Sequence, residues 1–559
     1  MTISSKDRII LSGRGQNRMI GAGIVRQVTA TPRKSGLRSF LLMPAAIFLM
    51  ACAGAVPSAY DTYEEGSATQ LFRTGLQDIH DIYIEPKDAQ GLTMAGLENL
   101  EKIDAAVRVE LREHQVALLL GSSDAALFDR PPQDDVDGWA ALTALALADG
   151  RRRSPKLQEA TAEQLYEAVF DGMAGQLDRF SRYSSRDEAR DNQASRDGFG
   201  GIGVRIRMIE TGVEILQVME QTPAERAGLL DNDIITHIGS VPASTLDQQE
   251  VVERLRGPIG SEVVITIDRK GFRPFPIKVI RAHVVPQTVT AHTEDGIAIV
   301  RVTGFNQSTT RSLETKVEDT LARAEGSVRG LVLDLRGNPG GLLDQAVNVS
   351  DLFVGEGRIV STHGRHPDSH QLFQGYEDDV AEGLPIVVLI NGGSASASEI
   401  VAAALQDSGR AVVVGSSSYG KGSVQTVLRL PNGGEITLTW ARFHAPSGYA
   451  LHLRGVQPDV CTSLPEVSLD ELRKSQAVTL PRVIPSIAEV IDQPPVTEAE
   501  AERLQSRCPK SEAELDRDVE LAQELLRNPD LYTRALGRNV NTLARFEESR
   551  TLSAHTQTQ

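Results

Sequence analysis

Hydrophobic and polar positions follow three different patterns along the chain. Residues 60–185 carry apolar side chains at intervals of three and four, which predicts mainly helical structure. Residues 199–282 alternate between apolar and polar positions, which predicts short strands. From residue 296 to residue 460, continuous apolar runs alternate with helical patterns, as is typical of strands buried on both faces of a sheet. The polar stretch over residues 187–197 has no clear periodicity and is interpreted as an unstructured boundary.

The second pattern predicts a small barrel-like sheet with two helices. Its short strands are VRIRMI, VEILQV, DIITHI, VVITIDR and PIKVIR, and its helices are PAERAGL and LDQQEVVERLR. The third pattern predicts an α/β domain with a largely parallel sheet, whose strands are IAIVRVT, GLVLDLR, PIVVLI and AVVVG. The segment EITLTWARFHA predicts a further long strand. The sequence therefore predicts a multidomain α/β protein with a helical N-terminal region, a β-barrel with two helices and an α/β core.

An apolar stretch at residues 40–56 follows a long basic segment and precedes small and acidic residues. This order predicts a secretory signal peptide within residues 1–58. An uncleaved membrane anchor is the alternative, because the stretch is near the minimum length for crossing a bilayer. The tetrad LMAC resembles a lipobox, in which Cys52 is lipidated, although Cys52 also fits as an ordinary apolar residue of the stretch. We therefore expect an exported protein that is periplasmic or membrane-associated.

The formal net charge of -17 on 559 residues argues against nucleic acid as a partner, because phosphate binding needs clustered Lys and Arg. The sequence has no HExxH motif and no Cys spacing typical of a metal site, so we expect no metal ion and no other cofactor. Cys461 and Cys508 predict a disulfide in an oxidising compartment, with two buried thiols as the alternative. Residues 466–559 are interpreted as a C-terminal extension, of which we expect the last part to be disordered.

Two glycine motifs resemble nucleotide-binding sequences, but their contexts argue against that function. Residues 198–203 fit G-x-G-x-x-G, yet a polar linker precedes them and a predicted strand follows, whereas dinucleotide binding needs a strand before and a helix after. Residues 415–422 fit the P-loop, except that Gly422 replaces the Ser or Thr that binds magnesium. A predicted strand follows here too, so the helix N-terminus that would hold phosphate is missing. Nucleotide binding is kept only as a third candidate function.

Residues 391–400 contain the candidate nucleophile Ser396. They run from the apolar strand PIVVLI through small residues into the helix EIVAAALQ. A serine at such a turn exposes its hydroxyl at the carboxyl end of a sheet, and the helix N-terminus offers N–H groups to an oxyanion. A structural interpretation is equally open, because Ser396 and Glu399 also fit a capping box.

Lys421 is the candidate base, because no His-Asp partner is apparent from the spacing. It follows the next strand, AVVVG, and reaches the same sheet edge as Ser396 if the two strands are neighbours. A lysine acts as a base only if burial lowers its pKa toward neutrality, and a surface lysine in a loop is the alternative. The turn at Gly340 and Gly341 is a candidate second oxyanion donor, unless glycine serves there only to permit the turn.

Together these segments resemble the C-terminal processing peptidases, also called tail-specific proteases. The resemblance covers about residues 60–460 and is carried by NGGSASASEI, SYGKGSVQT, LVLDLRGNPGGLLDQAV and GVQPDV. It implies that Ser396 is the nucleophile, that Lys421 is the base and that Gln425 orients the lysine. It also implies an oxyanion hole formed by the N–H of Ala397 together with that of Gly340 or Gly341.

The same resemblance identifies residues 198–283 as a PDZ domain. Gly201, Ile202, Gly203 and Val204 look like its carboxylate-binding loop, beside which a peptide would add as a strand. The helical region at 60–185 and residues 286–465 would then form the peptidase core, which lies mainly within the second range.

We therefore expect an exported serine endopeptidase of the Ser-Lys type that recognises substrate C-termini through its PDZ domain and cleaves through an acyl-enzyme. The expected partners are proteins or peptides with a free, apolar C-terminus, and an adaptor or activator is left open. The main alternative is a non-catalytic PDZ adaptor on a peptidase scaffold, which would bind C-termini without turnover.

Overall fold

The computed structural model describes residues 63–324, 326–376, 379–464 and 497–536, together with the backbone of a short strand, β1 (Thr2–Ser4). The predicted signal peptide or anchor at residues 40–56, with Cys52, lies outside the described residues, as does the predicted disordered end of the chain. Within the described ranges, no helix is both long enough and apolar enough to span a bilayer.

Residues 63–197 form a helical region with one small sheet. Its helices are α1 (Glu65–Ile82), α2 (Ala89–Glu98), α3 (Val136–Arg153), α4 (Pro155–Glu159), α5 (Ala162–Ala174) and α6 (Arg186–Asp197). Its antiparallel sheet consists of β2 (Val107–Leu111), β3 (Gln115–Leu120) and β4 (Ser123–Asp129), and β5 (Arg182–Ser184) precedes α6. Phe72, Trp139 and Phe170 are buried in the core of this region.

Two features of this region differ from the sequence prediction. The sheet β2–β4 was not predicted, because a short apolar run such as QVALLL in β3 fits a buried helix as well as a strand, and β4 has no fully buried residue. Helix α6 occupies the stretch that we interpreted as unstructured. It begins with a capping box, in which Glu188 N–H donates to Ser185 Oγ and Ser185 N–H donates to the Glu188 carboxylate. This cap starts a helix in a sequence that has almost no apolar residues.

The next region has the predicted strands and two helices. The strands are β6 (Phe199–Gly201), β7 (Val204–Ile209), β8 (Gly212–Val218), β9 (Ile234–Ile238), β10 (Val241–Pro242), β11 (Glu262–Asp268), β12 (Phe275–Ile280) and β13 (Ala282–Val284). The helices are α7 (Pro223–Arg226) and α8 (Gln248–Leu255). The main sheet has the antiparallel order β12-β11-β9-β8-β7, so β7 lies at an edge.

The third region contains two sheets. Its strands are β14 (Val289–Glu294), β15 (Ile297–Val302), β16 (Gly330–Asp334), β17 (Gly357–His363), β18 (Gln371–Gly375), β19 (Ile386–Ile390), β20 (Ala411–Gly415), β21 (Ser423–Arg429), β22 (Glu435–His444) and β23 (Val460–Cys461). Its helices are α9 (Thr309–Arg323), α10 (Leu343–Val354) and α11 (Ala397–Asp407).

The central sheet has the order β14-β15-β16-β19-β20-β23 and is parallel except between β14 and β15, which confirms the predicted largely parallel sheet. The second sheet has the order β1-β21-β22-β17-β18, with β5 paired to β22. The loop between β20 and β21 therefore connects the two sheets.

The two faces of the central sheet are covered by different parts of the chain. Apolar residues of α9, α10 and α11 pack on one face. The proposed C-terminal extension contains α12 (Glu498–Gln505) and α13 (Asp516–Arg527), and α13 packs on the other face through Leu521, Leu525 and Leu526. Cys461 and Cys508 form a disulfide that ties the extension to the edge strand β23. The described part of the extension therefore belongs to the core.

Candidate active site

Ser396 occupies the turn between β19 and α11. Its φ of 58° and ψ of -113° lie in a region that non-glycine residues rarely adopt, so the turn is strained. Such strain is typical of turns that present a nucleophile between a strand and a helix. The side chain is buried, and Oγ has no hydrogen-bond partner among the described residues. The hydroxyl is therefore not used as the helix cap that the sequence left open.

Glu399 is the hub that joins the serine turn to the lysine loop. Its side chain is fully buried and accepts four hydrogen bonds, of which Ser396 N–H donates one to Oε2 at 2.7 Å. Lys421 N–H donates to the same oxygen at 2.9 Å, and Oε1 accepts from Ser418 Oγ at 2.5 Å and from Gly420 N–H at 2.7 Å. Burial raises the pKa of Glu399, and the four hydrogen bonds oppose that rise. Because all four partners donate, the geometry fits an ionised carboxylate.

Lys421 lies in the loop between β20 and β21. Burial lowers the pKa of its ammonium group, and the charge of Arg182 acts in the same direction, whereas Glu399 and Asp178 oppose the shift. The ring of Phe180 lies 5.1 Å from Nζ. No hydrogen bond joins Nζ to Ser396 Oγ in the described structure, which is common in the resting sites of enzymes without substrate.

The glycine turn after β16 packs directly against the serine turn. A Cβ on Gly340 would lie 2.7 Å from the Cβ of Ser396 and 2.9 Å from the nitrogen of Ala397, and its φ is 101°. The N–H of Gly340 donates to Asn338 Oδ1 at 2.9 Å, whereas the N–H groups of Gly341 and Ala397 have no acceptor among the described residues. Gly341 and Ala397 are therefore the better pair of candidate oxyanion donors.

Gln425 is buried in β21, close to the lysine in sequence. Among its hydrogen bonds, Nε2 donates to Ser423, at 2.8 Å to Oγ and at 3.3 Å to the carbonyl oxygen, and to Thr439 Oγ1 at 3.2 Å. None of these contacts reaches Lys421, so the role of Gln425 in orienting the lysine stays a prediction.

The predicted carboxylate-binding loop lies between β6 and β7. The N–H groups of Ile202 and Gly203 have no acceptor among the described residues, whereas the carbonyl of Ile202 accepts from Ala224 N–H at 2.8 Å. Gly203 has a φ of 84°, and a Cβ there would lie 2.4 Å from Thr222. Together with Gly201 and Val204, this loop leads into the edge strand β7. Within the described ranges, these two N–H groups therefore lack an acceptor and lie beside the edge of β7.

Sequence reasoning missed three residues that build the candidate site. Glu399 was considered only as part of a cap, although a charged residue within an otherwise apolar helix needs buried partners. Asn338 connects the glycine turn to the serine turn, since its carbonyl accepts from Ala395 N–H and from Ser398 Oγ, both at 2.9 Å. Phe180 comes from the N-terminal region and carried no sequence signal for contact with Lys421.

Comparison with known proteins identifies two domains in the chain. The family model for Peptidase family S41 matches residues 296–462, and a PDZ domain model matches residues 214–269. A carboxy-terminal-processing protease of Bartonella bacilliformis is 39% identical over 321 residues, which cover 57% of this chain and 73% of the relative. The carboxy-terminal processing protease CtpA of Bacillus subtilis is 30% identical over 317 residues, which cover 56% and 67%, respectively.

Among solved structures, the photosystem II D1 C-terminal processing protease aligns with 70% of this chain and 92% of its own, at 23% identity and a TM-score of 0.36. The family assignment rests on the sequence relatives and not on this structural alignment, because the Bartonella protein shares 39% identity over 73% of its length. The chain therefore belongs to the carboxy-terminal processing proteases, the serine peptidases of family S41, and it carries a PDZ domain.

Proposed function

We propose that this peptidase is an exported endopeptidase of the Ser-Lys type, with Ser396 as nucleophile and Lys421 as general base. The observation that carries the proposal is the shared oxygen of Glu399. Oε2 accepts the N–H of Ser396 at 2.7 Å and that of Lys421 at 2.9 Å. One carboxylate oxygen therefore holds the backbones of both residues next to each other. The Ser396 hydroxyl, which is buried and has no hydrogen-bond partner among the described residues, and Lys421, whose pKa is lowered by burial, complete the pair.

In the proposed mechanism, neutral Lys421 takes the proton from Ser396 as Oγ attacks the carbonyl carbon of the scissile bond. The N–H groups of Ala397 and Gly341 hold the oxyanion of the tetrahedral intermediate. The intermediate collapses to an ester on Ser396, and Lys421 passes its proton to the leaving amine. Water then attacks the ester while Lys421 accepts its proton, and Lys421 returns that proton to Ser396 Oγ as the ester bond breaks and the acid product leaves.

The PDZ domain supports recognition of substrate C-termini. A peptide can add to the free edge of β7, because this strand has a neighbour on one side only in the described sheet. The N–H groups of Ile202 and Gly203, which have no acceptor in the described part of the chain, are suited to a terminal carboxylate. We propose that Gly201, Ile202, Gly203 and Val204 hold an apolar C-terminal tail in this way.

Export is supported by the disulfide between Cys461 and Cys508, because such bonds persist in oxidising compartments. We propose that the protein works in the periplasm or at a membrane surface, with Cys52 as the site of any lipid anchor. Fractionation of cells that produce the wild type and Cys52→Ser tests this placement. A lipid anchor predicts membrane-bound wild type and a variant released from the membrane.

The test of the proposed activity uses two model substrates that differ only in an apolar or a charged C-terminal tail. Products of wild type and Ser396→Ala are compared by mass spectrometry. We expect wild type to cleave the apolar-tailed substrate faster and Ser396→Ala to cleave neither. Tail binding without cleavage by wild type would favour the PDZ adaptor, and cleavage by Ser396→Ala would refute the nucleophile.

A further inference from the structure

Residues 508–518, which we call the brace, cross the carboxyl ends of three strands of the central sheet. The strands are β16, β19 and β20, and the loops that follow them carry the glycine turn, Ser396 and Lys421, respectively. The brace hydrogen-bonds to residues of all three loops. The brace therefore joins all three loops from outside, as α11 does from within the fold through Ser398 and Glu399.

The brace holds the serine turn through its backbone. Gly392 N–H donates to the carbonyl of Ser511 at 2.7 Å, and Asn391 Nδ2 donates to the carbonyl of Glu512 at 2.9 Å. A Cβ on Gly392 would lie 3.1 Å from the Ser511 carbonyl oxygen, so the glycine permits this close approach. Gly392 and Asn391 lie four and five residues before Ser396, respectively.

The brace also holds the loop that leads to Lys421. Ser417 Oγ donates to the carbonyl of Cys508 at 2.5 Å. Lys510 Nζ donates to the carbonyl of Tyr419 at 2.8 Å, two residues before Lys421. The N–H of Tyr419 donates in turn to the carbonyl of Ser394, which links the lysine loop to the serine turn. Lys510 thus fixes the backbone that carries the proposed base.

The third attachment is a buried arginine beside the glycine turn. Arg336 Nη1 donates to the carbonyl of Leu515 at 2.9 Å and to Asp518 Oδ2 at 3.2 Å. The same guanidinium donates through Nε and Nη2 to both carboxylate oxygens of Asp334 at 2.9 Å. A buried guanidinium needs these acceptors, so the position of the glycine turn depends on the brace.

Both ends of the brace are fastened. The disulfide to Cys461 in β23 fixes its start, and the packing of α13 on the sheet fixes its end. A dithiol reductant would convert this disulfide to two thiols while it is itself oxidised to a disulfide, which would release the first attachment and leave the apolar packing of α13 in place.

We propose that the brace is a positioning element for the acyl-transfer site and that the Cys461–Cys508 disulfide makes this positioning depend on oxidation. The inference rests on the proposed roles of Ser396 and Lys421. When the start of the brace is released, Lys510 and Ser511 no longer hold their partners in the serine and lysine loops. A displacement of about 1 Å between a nucleophile and its base can cost on the order of a hundredfold in rate. The PDZ domain does not contact the brace through any described hydrogen bond, so tail binding is expected to be unaffected.

The test measures kcat and the Kd of a C-terminal tail peptide for the purified full chain, before and after reduction. Reduction that exposes Cys461 and Cys508, verified by thiol titration, is expected to lower kcat about tenfold and to leave the Kd within about twofold. The double variant Cys461→Ser/Cys508→Ser is expected to have the lower kcat and no response to the reductant. A brace that only adds stability would lower the unfolding temperature without changing kcat at 25 °C.

Lys510 tests the positioning without touching the disulfide. Lys510→Met removes the donor to Tyr419 and is expected to lower kcat several-fold, whereas Lys510→Arg keeps a donor and is expected to retain activity. Lys156→Met, on the exposed surface of α4, is the matched control and should behave as wild type. Unchanged kcat after verified reduction and in Lys510→Met would overturn the inference while Ser396→Ala stays inactive. Cleavage by Ser396→Ala would overturn the proposed function as well.

Discussion

Glu399→Gln is the substitution that best tests how the site is assembled. Gln has the shape of Glu, but its NH₂ group cannot accept a hydrogen bond. Of the four donors around Glu399, two must therefore face a group that also donates. The less costly orientation turns the NH₂ group toward Ser418 and Gly420, because the Ser418 hydroxyl can rotate and accept. The other orientation would leave the N–H groups of both Ser396 and Lys421 without an acceptor.

The preferred orientation leaves the N–H of Gly420 buried without an acceptor and weakens the remaining hydrogen bonds, which lose a charged partner. An orphaned buried donor costs about 1–3 kcal/mol, so we expect a total near 3 kcal/mol. The variant should still fold, since that cost is below the usual stability of a domain. If the same energy is lost in the transition state, kcat falls about a hundredfold.

The assay is the pH dependence of kcat with a quenched fluorescent peptide. Because the charge of Glu399 raises the pKa of Lys421, its removal should also move the rise in rate that reports neutral Lys421 to lower pH. Glu318→Gln, on the exposed side of α9, is the matched control and should match wild type. A folded Glu399→Gln variant with the kcat and pH profile of wild type would refute the reasoning.

Three further predictions concern the base, the PDZ loop and acid stability. Phe180→Ala admits water to Lys421, whose Nζ lies 5.1 Å from the ring, and should therefore raise the pKa of the lysine. Each pKa unit of this rise lowers the rate at neutral pH about tenfold, which the pH–rate profile measures. Gly203→Ala forces a Cβ to within 2.4 Å of Thr222 and should weaken tail-peptide binding about tenfold in calorimetry, with kcat on a tail-less peptide retained. Burial lowers the pKa of His444 from 6.5 to about 4, so the folded state excludes its proton and stability is lost as the pH falls from about 6.5 toward 4. Between pH 7.5 and 5 this loss is roughly 2 kcal/mol, and urea unfolding of His444→Asn should show a smaller decline.

Each of these predictions has a control in the same chain. Phe272→Ala removes an exposed ring and should leave the pH–rate profile unchanged. Gly66→Ala places a Cβ where nothing lies within 4 Å and should leave tail binding unchanged. His114→Asn removes an exposed imidazole and should decline with acid like wild type. A prediction fails when its variant behaves like its control.

The sequence predicted the peptidase core well, because long apolar runs and strand-to-helix turns are local signals. The parallel order of β19 and β20 then places Ser396 and Lys421 at one sheet edge, as expected from the carboxyl ends of neighbouring strands. The choice of Ser396 over its neighbouring serines came from the family resemblance. The preference for Gly341 over Gly340 required the hydrogen bond of Gly340 N–H to Asn338.

The features that sequence reasoning missed depend on contacts between distant segments. The partners of Glu399 at Ser418, Gly420 and Lys421 lie 19, 21 and 22 residues along the chain. The contacts of Arg336 with the brace span 179 and 182 residues. No periodicity within a short window encodes such pairs, so the brace was interpreted only as an extension.

The most direct test of the central claim is to trap the acyl-enzyme. Enzyme and a peptide ester are mixed, quenched in acid within the first turnover and mapped by mass spectrometry. We predict an acyl group on the peptide that contains Ser396, absent in Ser396→Ala and formed much more slowly in Lys421→Ala. An acyl group on another residue, or product formation with no acylated enzyme at any time, would contradict the account.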